Sequence, residues 1–164
     1  MKRKLIVTGV VAMLLFIGIG GCEDFDIEAC AGANYITVIV EARVYATVTD
    51  HFDTVPWSGA VLNVEIVKAG GERVSEQRTT DSGGNTEPVN ATFKVYKEQG
   101  VQAIARVVSG PMPEFMGVES WDPQKLHISN NYAFISWEDI EHVGYKGTYY
   151  WYPTVDLSIT TPLR

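Results

Sequence analysis

Tyr35-Ile36-Thr37-Val38-Ile39-Val40-Glu41-Ala42-Arg43-Val44-Tyr45-Ala46-Thr47-Val48 is the stretch that decides the fold. Ile36, Val38, Val40, Ala42, Val44, Ala46 and Val48 fall on one side of an extended chain. Tyr35, Thr37, Glu41, Arg43, Tyr45 and Thr47 fall on the other, with Ile39 the exception. Successive strand side chains point to opposite faces, so a two-residue period with β-branched residues on one face marks a half-buried strand. This strand is long enough to bend or bulge midway.

Downstream, the same period recurs in shorter pieces. After a turn region from Asp50 to Gly59, Leu62, Val64 and Ile66 alternate with Asn63 and Glu65. Gly70-Gly71 punctuates the chain, and Glu72 to Thr80 is a mostly polar strand of the kind that suits a sheet edge. Beyond Asp81-Ser82-Gly83-Gly84, Val89, Ala91, Phe93 and Val95 share one face, and after Gly100 so do Val101, Ala103, Ala105 and Val107. Ser136-Trp137-Glu138-Asp139, followed by Gly144, reads as one capped helical turn. In the last strand, from Thr148 to Ile159, the odd positions Tyr149, Trp151, Val155, Leu157 and Ile159 face inward if the alternation holds across Pro153. That places Tyr150 and Tyr152 on the solvent side. Many short strands, Gly and Asx turns and little helix predict an all-β, antiparallel, immunoglobulin-like or transthyretin-like sandwich of about seven strands.

Part of this pattern resembles a known family. Gly59-Ala60-Val61-Leu62-Asn63-Val64-Glu65-Ile66 is similar to the second strand of carboxypeptidase-regulatory-like domains, and Thr79-Thr80-Asp81-Ser82-Gly83-Gly84 to their T-T-D-x-x-G turn. Phe93 to Val107, broken by Gly100, is similar to their closing hairpin. The resemblance runs from about Glu41 to Val107. It implies a transthyretin-like, mostly non-catalytic scaffold. Past Val107 such domains end, whereas this chain continues with a long aromatic-rich segment.

Upstream of the deciding strand, Lys2, Arg3 and Lys4 precede an apolar run from Leu5 to Ile19 that closes on Gly20-Gly21-Cys22. A basic start, a short apolar middle and small residues before a cut site make a secretory signal. Small residues ending at a cysteine resemble the lipobox of bacterial lipoproteins. That likeness implies cleavage after Gly21 and acyl lipid on Cys22. The alternatives are a plain signal peptide cut at Gly21 and a retained membrane anchor, but Leu5 to Ile19 is shorter than the roughly 20 apolar residues a span needs. The expected organisation is a signal peptide over 1–21, a lipidated tether over 22–34 and one domain over 35–164 with a long 109–130 loop. The expected location is a lipid anchor on the cell membrane, outside the cytoplasm, either periplasmic or at the cell surface. The twelve residues from Glu23 to Asn34 reach at most ~40 Å.

The chain has 164 residues and a formal net charge of −7, and the signal segment removes basic residues only, so the domain is more acidic still. Such a balance repels phosphate backbones and argues against nucleic acid as a partner. With Cys22 lipidated, Cys30 has no partner for an intrachain disulfide; it reads as a small packing or tether residue, or as a free thiol open to an intermolecular bridge.

Catalytic signatures are missing from the sequence: there is no G-x-S-x-G, H-E-x-x-H, C-x-x-C or P-loop. Of the histidines, His51 lies beside Asp53, His127 sits in a loop, and His142 stands four residues after Glu138 and next to Glu141. Glu138 and His142 offer two metal ligands where zinc needs three or four, so an exposed ion pair is the plainer reading. Asp81, Asn85 and Glu87 offer oxygens, but an Asx turn explains them without an ion. Asn90-Ala91-Thr92 matches a glycosylation pattern in mid-strand. No metal or cofactor is expected.

The candidate contact residues are aromatic. Ser109 to Asn130 has no clean period and carries Pro111, Pro113, Phe115, Met116, Trp121 and Pro123. Connections this long are uncommon inside compact domains and often functional. With Tyr150 and Tyr152, Phe115 and Trp121 are candidates for an aromatic platform that meets a partner protein or stacks on a glycan. The structural alternative is that Phe115 and Trp121 cap one end of the sandwich. The expected function is a non-enzymatic, anchored sandwich that binds an envelope or surface protein, with a carbohydrate-binding module as the rival.

Overall fold

The long strand forms as its pattern dictates and organises everything else. In the computed structural model, which describes residues 34–49, 53–117 and 121–160, β1 (Tyr35–Thr49) is the centre of one of two sheets. The signal segment with Gly21 and Cys22, the tether with Cys30, and His51 lie outside the described residues. Ile36, Val38, Val40, Ala42, Val44, Ala46 and Val48 are all 0–1% exposed. Burying a Val or Ile side chain contributes roughly 1.5–3 kcal/mol, so this one face is a large share of what holds the core.

The first half of β1 pairs antiparallel with β5 (Val89–Tyr96), from Tyr35 opposite Tyr96 to Ala42 opposite Val89. Its far end pairs with β2 (Thr54–Pro56). Along its other edge run β9 (Thr148–Trp151) and β10 (Thr154–Thr160), both parallel to β1. Val40 stands opposite Trp151 and Arg43 opposite Thr154, so β9 and β10 are one strand in one register, interrupted at Tyr152-Pro153. Proline has no N–H to give a ladder; the Pro153 carbonyl still accepts from Arg43 N–H at 3.0 Å. β7 (His127–Ser129) closes this sheet on the outer side of β10.

The second sheet is antiparallel throughout, in the order β4 (Arg73–Thr79), β3 (Val61–Lys68), β6 (Val101–Ser109), β8 (Tyr132–Ile135). Leu62, Val64, Ile66, Ala103 and Ala105 meet the β1 face in a shared core with Val89, Phe93, Val155, Leu157 and Ile159. The all-β sandwich expected from the sequence is therefore present. Antiparallel pairing dominates it, and β4 is the polar edge strand that its composition predicts.

Two features go beyond the sequence reading. A parallel neighbour needs a long crossover, and here the second sheet supplies it: the chain between β1 and β9 builds that sheet before returning alongside β1. The 109–130 stretch also carries local structure, a 3-10 turn over Glu114–Met116 and the strand β7, which holds His127. The helical turn α1 (Trp137–Ile140) forms where its cap predicts. The Asp139 carboxylate accepts from the Ser136 N–H and hydroxyl, both at 2.8 Å. No helix of the described residues is long and apolar enough to cross a membrane.

Candidate functional site

The aromatic candidates separate into two places. Trp121 belongs to the end of the sandwich, where it meets Trp57 with ring centroids 5.9 Å apart. Trp57 is the knot of that end, buried at 1% exposure. Its backbone N–H donates to Ala46 O at 2.8 Å, its indole N–H donates to Pro111 O, and its carbonyl accepts the Thr80 hydroxyl. Trp121 N–H donates to Gly110 O at 3.2 Å, and Met112, Met116 and Leu126 are buried beneath the same loop. The loop after β6 thus behaves as a cap on the core. Phe115 stands at its rim, 37% exposed. The sequence carries no signal for Trp57, because a tryptophan between turn residues has no period to mark it.

Tyr150 and Tyr152 occupy the outer face of the first sheet, as the alternation across Pro153 predicts. They are 57% and 64% exposed, two residues apart. Tyr150 stands beside Ile39, the one apolar residue on the solvent face of β1. Beyond β9 no further strand is paired among the described residues. Among those residues no ring contact joins Phe115 or Trp121 to Tyr150 or Tyr152.

A second exposed pair lies on the other sheet, outside the residues the sequence pattern marks. Tyr132 and Phe134 project from β8, the edge of the second sheet, at 61% and 59% exposure. Ala133 and Ile135 point the other way, and that short alternation was the available signal. Phe134 lies over Gly100, where an added Cβ would come within 2.7 Å of its ring. Further across this face Glu65, 9% exposed, lies 3.4 Å from Arg106 and 3.9 Å from Arg73.

A shallow cavity opens beside α1, lined by Trp137, Glu138, Glu141, His142, Gly144 and Tyr145. Trp137 indole N–H donates to Glu141 at 3.1 Å, and the Tyr145 ring lies 6.1 Å from the indole. His142 makes an edge contact with Tyr149. Hydrogen bonds from its own backbone and the Ser136 hydroxyl hold the Glu138 carboxyl below its usual value. Asp139 is lowered likewise by the backbone and hydroxyl of Ser136.

The oxygen-rich loop is a turn. Asp81 Oδ1 accepts from Gly83 N–H at 2.8 Å and Asn85 N–H at 2.9 Å, so its lone pairs are engaged by the backbone. Asn90 is exposed near the start of β5, as its second residue, and not in mid-strand. Among the described residues no three His, Cys, Asp or Glu side chains gather to hold a metal ion. Comparison with protein-family models, with curated proteins and with solved structures finds no match for this chain.

Proposed function

We propose that this chain is a non-catalytic, lipid-anchored sandwich outside the cytoplasm that docks a partner protein of the envelope or surface through the β9 edge. The observation that carries the docking part is the pair Tyr150, on β9, and Tyr152, just past its end, both more than half exposed, with no strand paired beyond β9 among the described residues. Natural edge strands are normally blunted by charge or covered. β9 instead reads Thr148-Tyr149-Tyr150-Trp151, without a charged residue. Exposed tyrosines bring large contact area at low conformational cost, and an open strand edge offers backbone groups for strand addition. The anchoring part rests on Leu5 to Cys22 alone. Two or three acyl chains, at ~0.8 kcal/mol per buried CH2, suffice to hold a domain of this size.

The test is site-directed photocross-linking in cells of the source organism. A cross-linker at Tyr152 is expected to capture one protein in stoichiometric yield, lost with Tyr150→Ser. A cross-linker at Gln77, on the opposite edge, serves as the control. Equal capture from both positions, or none from Tyr152, rejects the docking surface. Membrane release of Cys22→Ser, with loss of acyl mass on the N-terminal peptide, tests the anchor separately. The second reading, a glycan-binding module, draws on the same two tyrosines, whose flat faces suit sugar stacking. It predicts polysaccharide retention that falls with Tyr150→Ser and Tyr152→Ser.

A further inference from the structure

The cavity beside α1 has a chemistry of its own, independent of the β9 edge. Its volume of about 400 Å³ lies within the range of small-ligand sites. Trp137, 4% exposed, forms its rigid back, and Tyr145, 56% exposed, leaves a ring face open to solvent. The two rings are tilted by 31° with centroids 6.1 Å apart, so they stand as adjoining walls and not as jaws around a guest. Glu138 and Glu141 border the same space, and neither forms an ion pair with any described residue. Elsewhere Glu41, Glu65, Glu72, Glu76 and Asp122 each have an Arg or Lys within 4 Å. Glu138 and Glu141 are among the described carboxylates without a cation, as are Glu87, Glu98 and Asp156, and they are the two that border an aromatic cavity.

Aromatic faces carry the negative lobe of a quadrupole and attract cations within about 6 Å of the ring centroid. Two unneutralised carboxylates beside such faces add attraction of the same sign, and the net charge of −7 reinforces it at range. An anion is repelled by the two carboxylates and the ring faces, His142 being the one basic side chain of the lining. A hard divalent ion seeks six or more oxygens and gains little from the rings. We propose that the Trp137–Tyr145 cavity binds an alkylammonium group of the choline or ethanolamine kind, with Tyr145 supplying the cation–π face and Glu138 and Glu141 the countercharge. Glu138, like any exposed carboxylate, is anionic through the neutral range. Glu141 is held in place by the indole N–H of Trp137.

The same ammonium chemistry occurs in free amines and in phospholipid headgroups, and the test separates them. The nitrogen-labelled full chain, in a polyoxyethylene detergent, is titrated with choline chloride and with ethanolamine hydrochloride. The Trp137 indole N–H resonance, assigned with Trp137→Phe, is the readout. Controls are sodium chloride at equal ionic strength and dimethylbutanol, the neutral isostere of choline. A saturable shift is expected with the two cations alone, in the roughly millimolar range proper to so small a ligand. Tyr145→Ala is expected to weaken it by about fivefold or more. The Glu138→Gln, Glu141→Gln double variant does the same without altering ring packing. Short-chain phosphatidylcholine acting where phosphatidylglycerol does not, and more tightly than free choline, assigns the lipid as source; the reverse ranking assigns the free amine. An equal response to dimethylbutanol, no saturable shift, or full binding by the double variant overturns the proposal.

Discussion

The indole N–H of Trp57 donates to the carbonyl of Pro111, 54 residues along the chain, and so ties the turn before β3 to the loop after β6. That loop lies outside the two hydrogen-bonded sheets apart from β7, so its placement depends on side chains such as this one. Gly110 sits against the same ring, where an added Cβ would meet it at 2.5 Å.

Trp57→Phe keeps most of the ring but removes the donor, leaving the Pro111 carbonyl unpaired at a part-buried site. A loss of about 1 kcal/mol is expected. Trp57→Ala also empties the space beneath Trp121, and a loss of about 3–5 kcal/mol is expected. Urea denaturation checks both. Equal midpoints for the Phe variant and the wild type would mean that the bond contributes nothing.

Gly84 has φ of +78°, and a Cβ there would collide with the Ala46 carbonyl. Its own carbonyl accepts from Ala46 N–H at 2.8 Å, where the chain crosses from the Asp81 turn toward β1. Gly84→Ala meets both left-handed strain and a backbone clash, so a loss above ~1 kcal/mol is expected. Gly71, at φ of +95° with open space around it, serves as the comparison. Gly71→Ala has the strain without the clash and is expected to cost less in the same denaturation experiment.

The turn around α1 is sensitive to acid. Asp139 is held below its ordinary value of 3.8, first by the Ser136 backbone N–H and then by the Ser136 hydroxyl. A carboxyl whose folded-state pKa is depressed binds protons more readily when unfolded. Its stabilisation is therefore complete above the ordinary carboxylate range and is lost as pH falls through the folded value. Hydrogen exchange at the Ser136 amide is expected to quicken, relative to β1 amides, as pH drops below about 4. Asp139→Asn should remove that pH dependence. A wild-type Ser136 amide that tracks the β1 amides throughout the titration contradicts the assignment.

The strands were legible wherever one face is buried and the other wet, because period two then maps directly onto burial. β1, β3, β5, β6 and the inward side of β10 all follow it. The direction of β10 was not legible: parallel and antiparallel strands carry the same alternation, and Val44 meets Val155 without a turn to set their register. The short strand β7 has too few residues to show a period. Among the surface residues, Tyr150 and Tyr152 could be read from the parity of a long strand. Tyr132 and Phe134 needed the position of β8 at a sheet edge, which only the assembled sheet supplies. The cavity at Trp137 and Tyr145 joins residues eight apart through a turn whose path no periodicity encodes.

Tyr150 and Tyr152 offer the sharpest separation of stability from recognition. Both are mostly exposed, and neither belongs to the buried core. Replacing either with serine removes surface area from solvent and little packing, so stability is expected to change by no more than about 0.5 kcal/mol. Trp151 between them is part of the packing against the core, and Trp151→Ser is expected to destabilise by several times as much. If the outer face of β9 is the docking surface, the two tyrosine variants lose partner capture while keeping the wild-type urea midpoint. Trp151→Ser then loses capture only to the extent that it loses the fold. Tyrosine variants that unfold as readily as Trp151→Ser would assign these side chains to packing, and the exposed edge would need another explanation.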